Sequence, residues 1–205
     1  MNKYVKMIIA LSLIALISGI LLGGLNELTK ETIENNVLKF KKIPAAAHIF
    51  EIVSGKLSPE ERVTVEENLL SNKRSFELEE NKKVTFFVVQ KEGQPYAATI
   101  ESFGKGFGGD LGVMTGFHLQ TGEIVGIGIT TLSETPGLGS RVTEMEFSKQ
   151  FSSLGKDSKI MVKKDGGEID AITGATISSR AVCAAIANAQ AVWEKHHEKI
   201  VQASQ

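Results

Sequence analysis

The chain has 205 residues, 42% of them hydrophobic, and sets 23 basic against 24 acidic side chains for a formal net charge of -1. That length predicts one modest domain with an extra element rather than two full domains, and the balanced charge excludes the polycationic footprint of a nucleic-acid binder. The lone Cys183 excludes an internal disulfide and any CxxC redox or zinc site, and is expected to be a small buried helix residue.

After a short tail at 1–6, residues 7–25 (MIIALSLIALISGILLGGL) carry no charge. At ~1.5 Å per residue this stretch spans the hydrocarbon of a bilayer, which predicts a transmembrane helix. Lys3 and Lys6 also fit the basic end of a cleaved secretory signal. The stretch is longer than the roughly 7 to 15 residues of a signal core, however, and no small-residue cleavage site directly follows it. Lys3 and Lys6 favour an inside N-terminus, while Lys30, Lys39, Lys41 and Lys42 lie close behind the span, so the positive charges alone do not choose a side. Gly19 and Gly23 form a G-x-x-x-G, a spacing that suits close packing against other membrane helices.

Residues 26–83 read as a helical stalk followed by helices. Through 27–42 the apolar positions recur at helical spacing, with Leu28, Ile33, Val37, Leu38 and Phe40 available for an inner stripe. Ser58-Pro59-Glu60-Glu61 supplies an N-cap, a proline at the first helical position and a reciprocal glutamate, so a short helix is predicted to start there.

Residues 84–205 change character. Strands are predicted at 84–90 and 96–102 around a turn at 91–95, then at 113–119 and 124–131 around 120–123, with a fifth at 159–163. Loops this short cannot make parallel crossovers, so the sheet is expected to be antiparallel. With helices at 145–151 and 178–197, the fold class is α+β, a mostly antiparallel sheet with flanking helices.

The most informative stretch is Asp170-Ala171-Ile172-Thr173-Gly174-Ala175-Thr176-Ile177-Ser178-Ser179, where small residues and hydroxyls crowd the start of the last helix. Free N–H groups and the positive end of the helix dipole favour a phosphate there. Capping alone also predicts Thr and Ser at such a place, and spacing does not choose among the hydroxyls. Thr135-Pro136-Gly137-Leu138-Gly139 reads as a tight turn, with Pro136 fixing one torsion and the glycines permitting positive φ. Gly104, Gly106 and Gly109 formally satisfy G-x-G-x-x-G, but a strand rather than a helix follows and no G-K-[ST] is present, which argues against a nucleotide loop. His48, His118, His196 and His197 make no metal-ligand set, and no nucleophile-base pair or paired carboxylates stand out, so neither metal nor catalytic residues are expected.

Three of these stretches carry a resemblance. Thr173-Gly174-Ala175-Thr176, between Asp170 and Ser178, resembles the S/T-G-A-T flavinylation motif of the covalent FMN-binding family of RnfG and NqrC subunits. Ser133-Glu134-Thr135-Pro136-Gly137-Leu138-Gly139 is similar to its E-T-P-G-L-G loop, and Gly104 to Gly109 to its glycine-rich stretch ahead of a strand. The motifs stand in the family's order behind an N-terminal anchor, and the compact length is closer to RnfG than to NqrC.

The resemblance implies FMN held as a phosphoester on Thr176 and contacted by Glu134, Thr135, Gly137, Leu138, Gly139, Thr173, Gly174, Ala175, Ile177 and Ser178. Leu138 would pack on the isoalloxazine face, and Glu134 would either orient its loop or touch the flavin. No base adjoins Thr176, which fits attachment by a separate flavin transferase. The implied role is that of an electron-carrying subunit, with no substrate site of its own, in an Rnf-type membrane complex. Such a complex couples electron transfer between ferredoxin and NAD to translocation of Na+ or H+. The implied partners are the other membrane and peripheral subunits, the transferase and membrane lipid. The implied location is the inner or plasma membrane, single-pass, with the N-terminus cytoplasmic and the flavin domain extracytoplasmic. An NqrC-like subunit of a Na+-translocating NADH:quinone oxidoreductase and a flavin-free membrane-tethered assembly protein are the alternatives.

Overall fold

The computed structural model describes residues 2–77, 83–152, 154–155 and 157–204. It divides into two compact units, Met1–Phe40 and Lys41–Gln205. The first is built on helix α1 (Lys3–Val37), which buries none of its residues. Its apolar stretch has a mean hydropathy of 2.6, long and apolar enough to cross a membrane. Leu28, Ile33 and Phe40 of the expected stalk stripe are exposed, whereas Val37 and Leu38 are half-buried. A π-helical turn, Leu38–Lys42, follows α1.

The second unit opens with α2 (Ile43–Ser54) and α3 (Pro59–Ser71). Helix α3 starts where the sequence predicts: Ser58 Oγ accepts from the Glu61 N–H, and a Glu61 carboxylate oxygen accepts from the Ser58 N–H, closing a capping box. Five strands follow, β1 (Lys73–Glu77), β2 (Lys83–Lys91), β3 (Gln94–Lys105), β4 (Asp110–His118) and β5 (Ile124–Thr131), in the order β1-β2-β3-β4-β5. Every neighbouring pair is antiparallel, as the short loops demand. Helices α4 (Met145–Lys149) and α5 (Thr176–Ser204) complete the α+β fold.

The sheet is covered on both faces, and residues that alternate along a strand serve opposite layers. Phe86, Val88, Ala98, Ile100, Leu111, Val113 and Phe117 join the core beneath α5, where Phe117 stacks on Trp193 with ring centroids 5.2 Å apart. A Cβ at Gly104 would overlap the Ala181 carbonyl, so this glycine lets the α5 backbone lie directly on β3. On the other face Gly116 and Gly126 leave room for Ile49 and Ile52 of α2, and Gly128 for the Ala45 carbonyl. Helices α2 and α3 and strand β1 therefore belong to the same compact unit as the sheet, which begins at Lys41, ahead of the 84–205 span expected for the flavin domain.

The fifth strand differs from expectation. Residues 159–163 do not extend the sheet; Val162 instead forms an isolated parallel bridge with Ile169. Ile169 donates to the Met161 carbonyl, Lys163 donates to the Ile169 carbonyl, and the 3-10 turn Lys163–Asp165 with left-handed Gly166 loops the chain round to lie parallel beside its start. The fifth strand is β1, whose alternation is too short and too charged to be legible before its pairing with β2 is known.

Candidate functional site

The three motif stretches meet at one end of the sheet. The first is the β3–β4 hairpin, whose connecting loop closes with the Gly106 N–H donating to the Gly109 carbonyl at 2.9 Å. Gly108 is required because a Cβ there would overlap the Ser133 carbonyl of the second stretch.

That second stretch leaves β5 and turns at Thr135-Pro136-Gly137-Leu138. The Leu138 N–H donates to the Thr135 carbonyl at 3.2 Å, and Gly137 has φ +76°. Proline second and a left-handed glycine third give a type II turn. Ser140 Oγ accepts from the Gly137 N–H at 2.9 Å, and the 3-10 turn Gly139–Thr143 carries the chain onward.

The third stretch repeats the device. The Ala175 N–H donates to the Ile172 carbonyl at 2.9 Å with Gly174 at φ +80°, so a four-residue turn delivers Thr176 as the first residue of α5. The helix begins two residues earlier than the sequence suggests. Buried Ser179 holds the turn, its hydroxyl accepting from the Ile172 N–H and donating to the Ala175 carbonyl, both at 3.0 Å. The first rung of the helix runs from the Ser179 N–H to the Ala175 carbonyl. The N–H groups of Thr176, Ile177 and Ser178 precede that ladder, at the positive end of a 29-residue helix.

Glu134 binds the three stretches together. One carboxylate oxygen accepts from the Phe107 N–H at 2.8 Å and the Gly108 N–H at 3.4 Å; the other accepts from Ser178 Oγ at 2.8 Å. Gly174 meets the second stretch directly, since a Cβ there would stand 3.4 Å from Leu138.

The result is a cleft of about 370 Å³ walled by Glu134, Thr135, Leu138, Gly139, Gly174, Ala175, Thr176, Ile177 and Ser178, with Phe107 added. Of the sequence-expected residues, Gly137 and Thr173 are not among its walls: Gly137 shapes a turn, and Thr173 is exposed in the other. Phe107, which is 72% exposed, was missed as a wall residue, although a lone aromatic inside a glycine-rich hairpin was its signal. Asp170 points away, paired with Lys163 at 2.7 Å. Beside the helix start, Arg180 makes a two-pronged bond to Asp165, and these hydrogen bonds hold the Asp165 carboxyl below its ordinary range. Cys183 is buried one turn further on, its thiol pushed up to about 12 by burial.

Chemically, the cleft offers unpaired N–H groups to an anion and the apolar surfaces of Phe107, Leu138 and Ile177 to a flat ring. Among the described residues no cluster of His, Cys, Asp or Glu could hold a metal ion.

The FMN-binding domain family matches residues 106–191. The RnfG protein of the ion-translocating oxidoreductase complex of Photorhabdus laumondii is 33% identical over 187 residues, covering 85% of this chain and 82% of that protein. Its counterpart in Shewanella piezotolerans is 32% identical over 124 residues, and this match spans 57% of the chain and 58% of the relative's length. Among solved structures, the NqrC protein of the Na+-translocating NADH-quinone reductase of Parabacteroides distasonis superposes with a TM-score of 0.61 at 21% identity. That superposition covers 82% of this chain and 96% of that one, and shows a shared fold.

Proposed function

The chain belongs to the RnfG family of ion-translocating oxidoreductase complexes, and on that premise we propose that it is the FMN-bearing electron-carrier subunit of such a complex, with the flavin joined as a phosphoester to Thr176. The observation that carries the attachment site is the state of the hydroxyls around the cleft. Ser178 and Ser179 are buried and already donate, to Glu134 and to the Ala175 carbonyl, and Thr173 lies outside the walls. Thr135 faces the cleft from a turn, whereas Thr176 faces it from the helix start. A phosphodiester on Thr176 would keep one negative charge within reach of the free N–H groups of the first helical turn.

When bound, FMN supplies the redox chemistry of the subunit. The chain's own residues hold and orient. The first turn of α5 would hold the phosphate, and Leu138, Ile177 and Phe107 would offer apolar surface to the ring. Among the described residues Glu134 is the one ionisable side chain in the cleft wall, and its oxygens are committed to the Phe107, Gly108 and Ser178 donors.

The attachment reaction belongs to a flavin transferase. The Thr176 oxygen forms a bond to the FMN phosphorus of FAD, the bond between the two phosphates breaks, and AMP leaves with the hydroxyl proton transferred to a base of that enzyme. In this reading helix α1 crosses the inner or plasma membrane with the N-terminus cytoplasmic and the flavin domain outside. The electrons pass between ferredoxin and NAD through this subunit and the others of the complex, coupled to translocation of Na+ or H+.

The test is peptide mass spectrometry of the full chain produced together with its flavin transferase. The expected result is FMN on the peptide containing Thr176. An unmodified peptide despite an active transferase would overturn the attachment and favour a flavin-free tethered scaffold; an adduct on another hydroxyl would overturn the site alone.

A further inference from the structure

We infer that Glu134 is a positioning residue, whose carboxylate sets the width of the cleft by holding the glycine-rich hairpin and the start of α5 at its two ends. The use of that cleft rests on the flavin reading above; the clamp itself does not.

Two observations carry it. The first is the hydrogen bonding: one oxygen of Glu134 takes the Phe107 and Gly108 N–H groups, and the other takes the Ser178 hydroxyl, so a single planar group spans the gap between hairpin and helix. The second is a cradle of missing side chains. A Cβ at Gly106 would overlap the first oxygen, and one at Gly139 would stand 2.5 Å from the second and 2.6 Å from Ser178 Oγ. Neither glycine has a positive φ, and the space left by their missing side chains is filled by the carboxylate, with the Gly109 carbonyl also close to Gly106.

Electrostatics points the same way. Among the described residues no ion pair involves Glu134. Its charge is met by N–H and O–H donors and by the positive end of α5, where a carboxylate is favourable. Ser178 is 2% exposed, so losing its acceptor would leave a buried hydroxyl without its partner. The carboxylate is thus consumed in holding two pieces of backbone, and what it delivers is the position of Phe107 across the cleft from Thr176.

Glu134→Gln keeps this geometry: the amide oxygen accepts from Phe107 and Gly108, and the amide nitrogen donates to Ser178 Oγ. Glu134→Ala removes every bond. The experiment compares the two in the full chain in detergent, first in a flavin-free Thr176→Ala background, by hydrogen exchange at segments 106–109 and 179–182, the latter opening with the first hydrogen-bonded amide of α5. Glu134→Ala is expected to speed exchange at least tenfold in both segments, and Glu134→Gln to stay within twofold of the parent. In flavin-loaded protein the fluorescence of the isoalloxazine is expected to rise several-fold with Glu134→Ala and to be restored by Glu134→Gln.

Exchange unchanged by Glu134→Ala overturns the clamp. Glu134→Gln behaving like Glu134→Ala also overturns it, and assigns Glu134 an effect of charge instead. Protein that never takes up flavin sinks the flavin reading while the exchange comparison still decides the clamp.

Discussion

The Ser178 hydroxyl donates to the Glu134 carboxylate at 2.8 Å across 44 positions of sequence, and that bond joins the start of α5 to the loop leaving β5. It also takes the Ser178 hydroxyl out of contention as an attachment point, which makes neighbouring hydroxyls separable by mutation.

Thr176→Ala is expected to abolish covalent flavin while leaving the melting temperature of the flavin-free protein within a degree or so of wild type, because Thr176 makes no described side-chain hydrogen bond and is only half-buried. Ser178→Ala should do the opposite. It keeps the adduct and loses about 1 kcal/mol with the buried hydrogen bond. Visible absorbance per folded protein, measured beside thermal unfolding, separates the two.

Gly174 holds φ +80° in the turn that delivers Thr176, a conformation that costs an L-residue about 1–2 kcal/mol. Gly174→Ala is therefore expected to lower the melting temperature by a few degrees. A strained turn would also misplace Thr176, so flavin loading should fall together with stability. An unchanged melting temperature would show that the turn adopts another conformation without cost.

Gly104→Ala tests how closely α5 lies on the sheet. Its Cβ would overlap the Ala181 carbonyl, and backbone cannot step aside as a side chain can. Destabilisation of about 1–3 kcal/mol is expected, the usual range for overpacking. Gly155→Ala, with nothing within 4 Å of the added carbon, is the control and should change stability by less than about 0.5 kcal/mol. Equal effects at the two positions would contradict the packing described.

Burial lowers the pKa of His48 below its ordinary value, with Arg62 adding to the effect and Glu51 opposing it. The folded state thus favours the neutral ring. Above the unfolded value of about 6.5 neither state binds the proton and stability is complete. As pH falls below that value the unfolded chain binds a proton that the folded chain refuses, so stability drops until the lowered folded pKa is passed, and then levels. Melting temperature followed from pH 8 to pH 5 should show this decline in wild type and a flatter profile in His48→Gln.

Buried Cys183, with its thiol pushed up to about 12, is expected to be inert. A maleimide or disulfide reagent at neutral pH should label it only under denaturing conditions. Rapid labelling of native protein would mean that α5 opens locally around it.

Features decided by neighbours in the chain are legible before any folding is known. An uncharged run of 19 residues is apolar all round whatever surrounds it. The capping box at Ser58 closes within four residues, and the hairpins are set by alternation and turn residues, as is the type II turn at Pro136 and Gly137. The three motifs are readable for the same reason: each is a local conformation written in glycine, proline and small hydroxyls. Which of them meet is a matter of long-range packing. Strand β1 exists because β2 pairs with it, and 159–163 stays out of the sheet because Ile169 folds back onto it. Phe107 becomes a wall of the cleft, and Glu134 a clamp rather than a free acid, only once β3, β4 and β5 bring residues 107, 134 and 178 together. A carboxylate's partners depend on which donors lie within about 3 Å of it, and spacing along the chain does not carry that distance when the partners stand 26 to 44 positions apart.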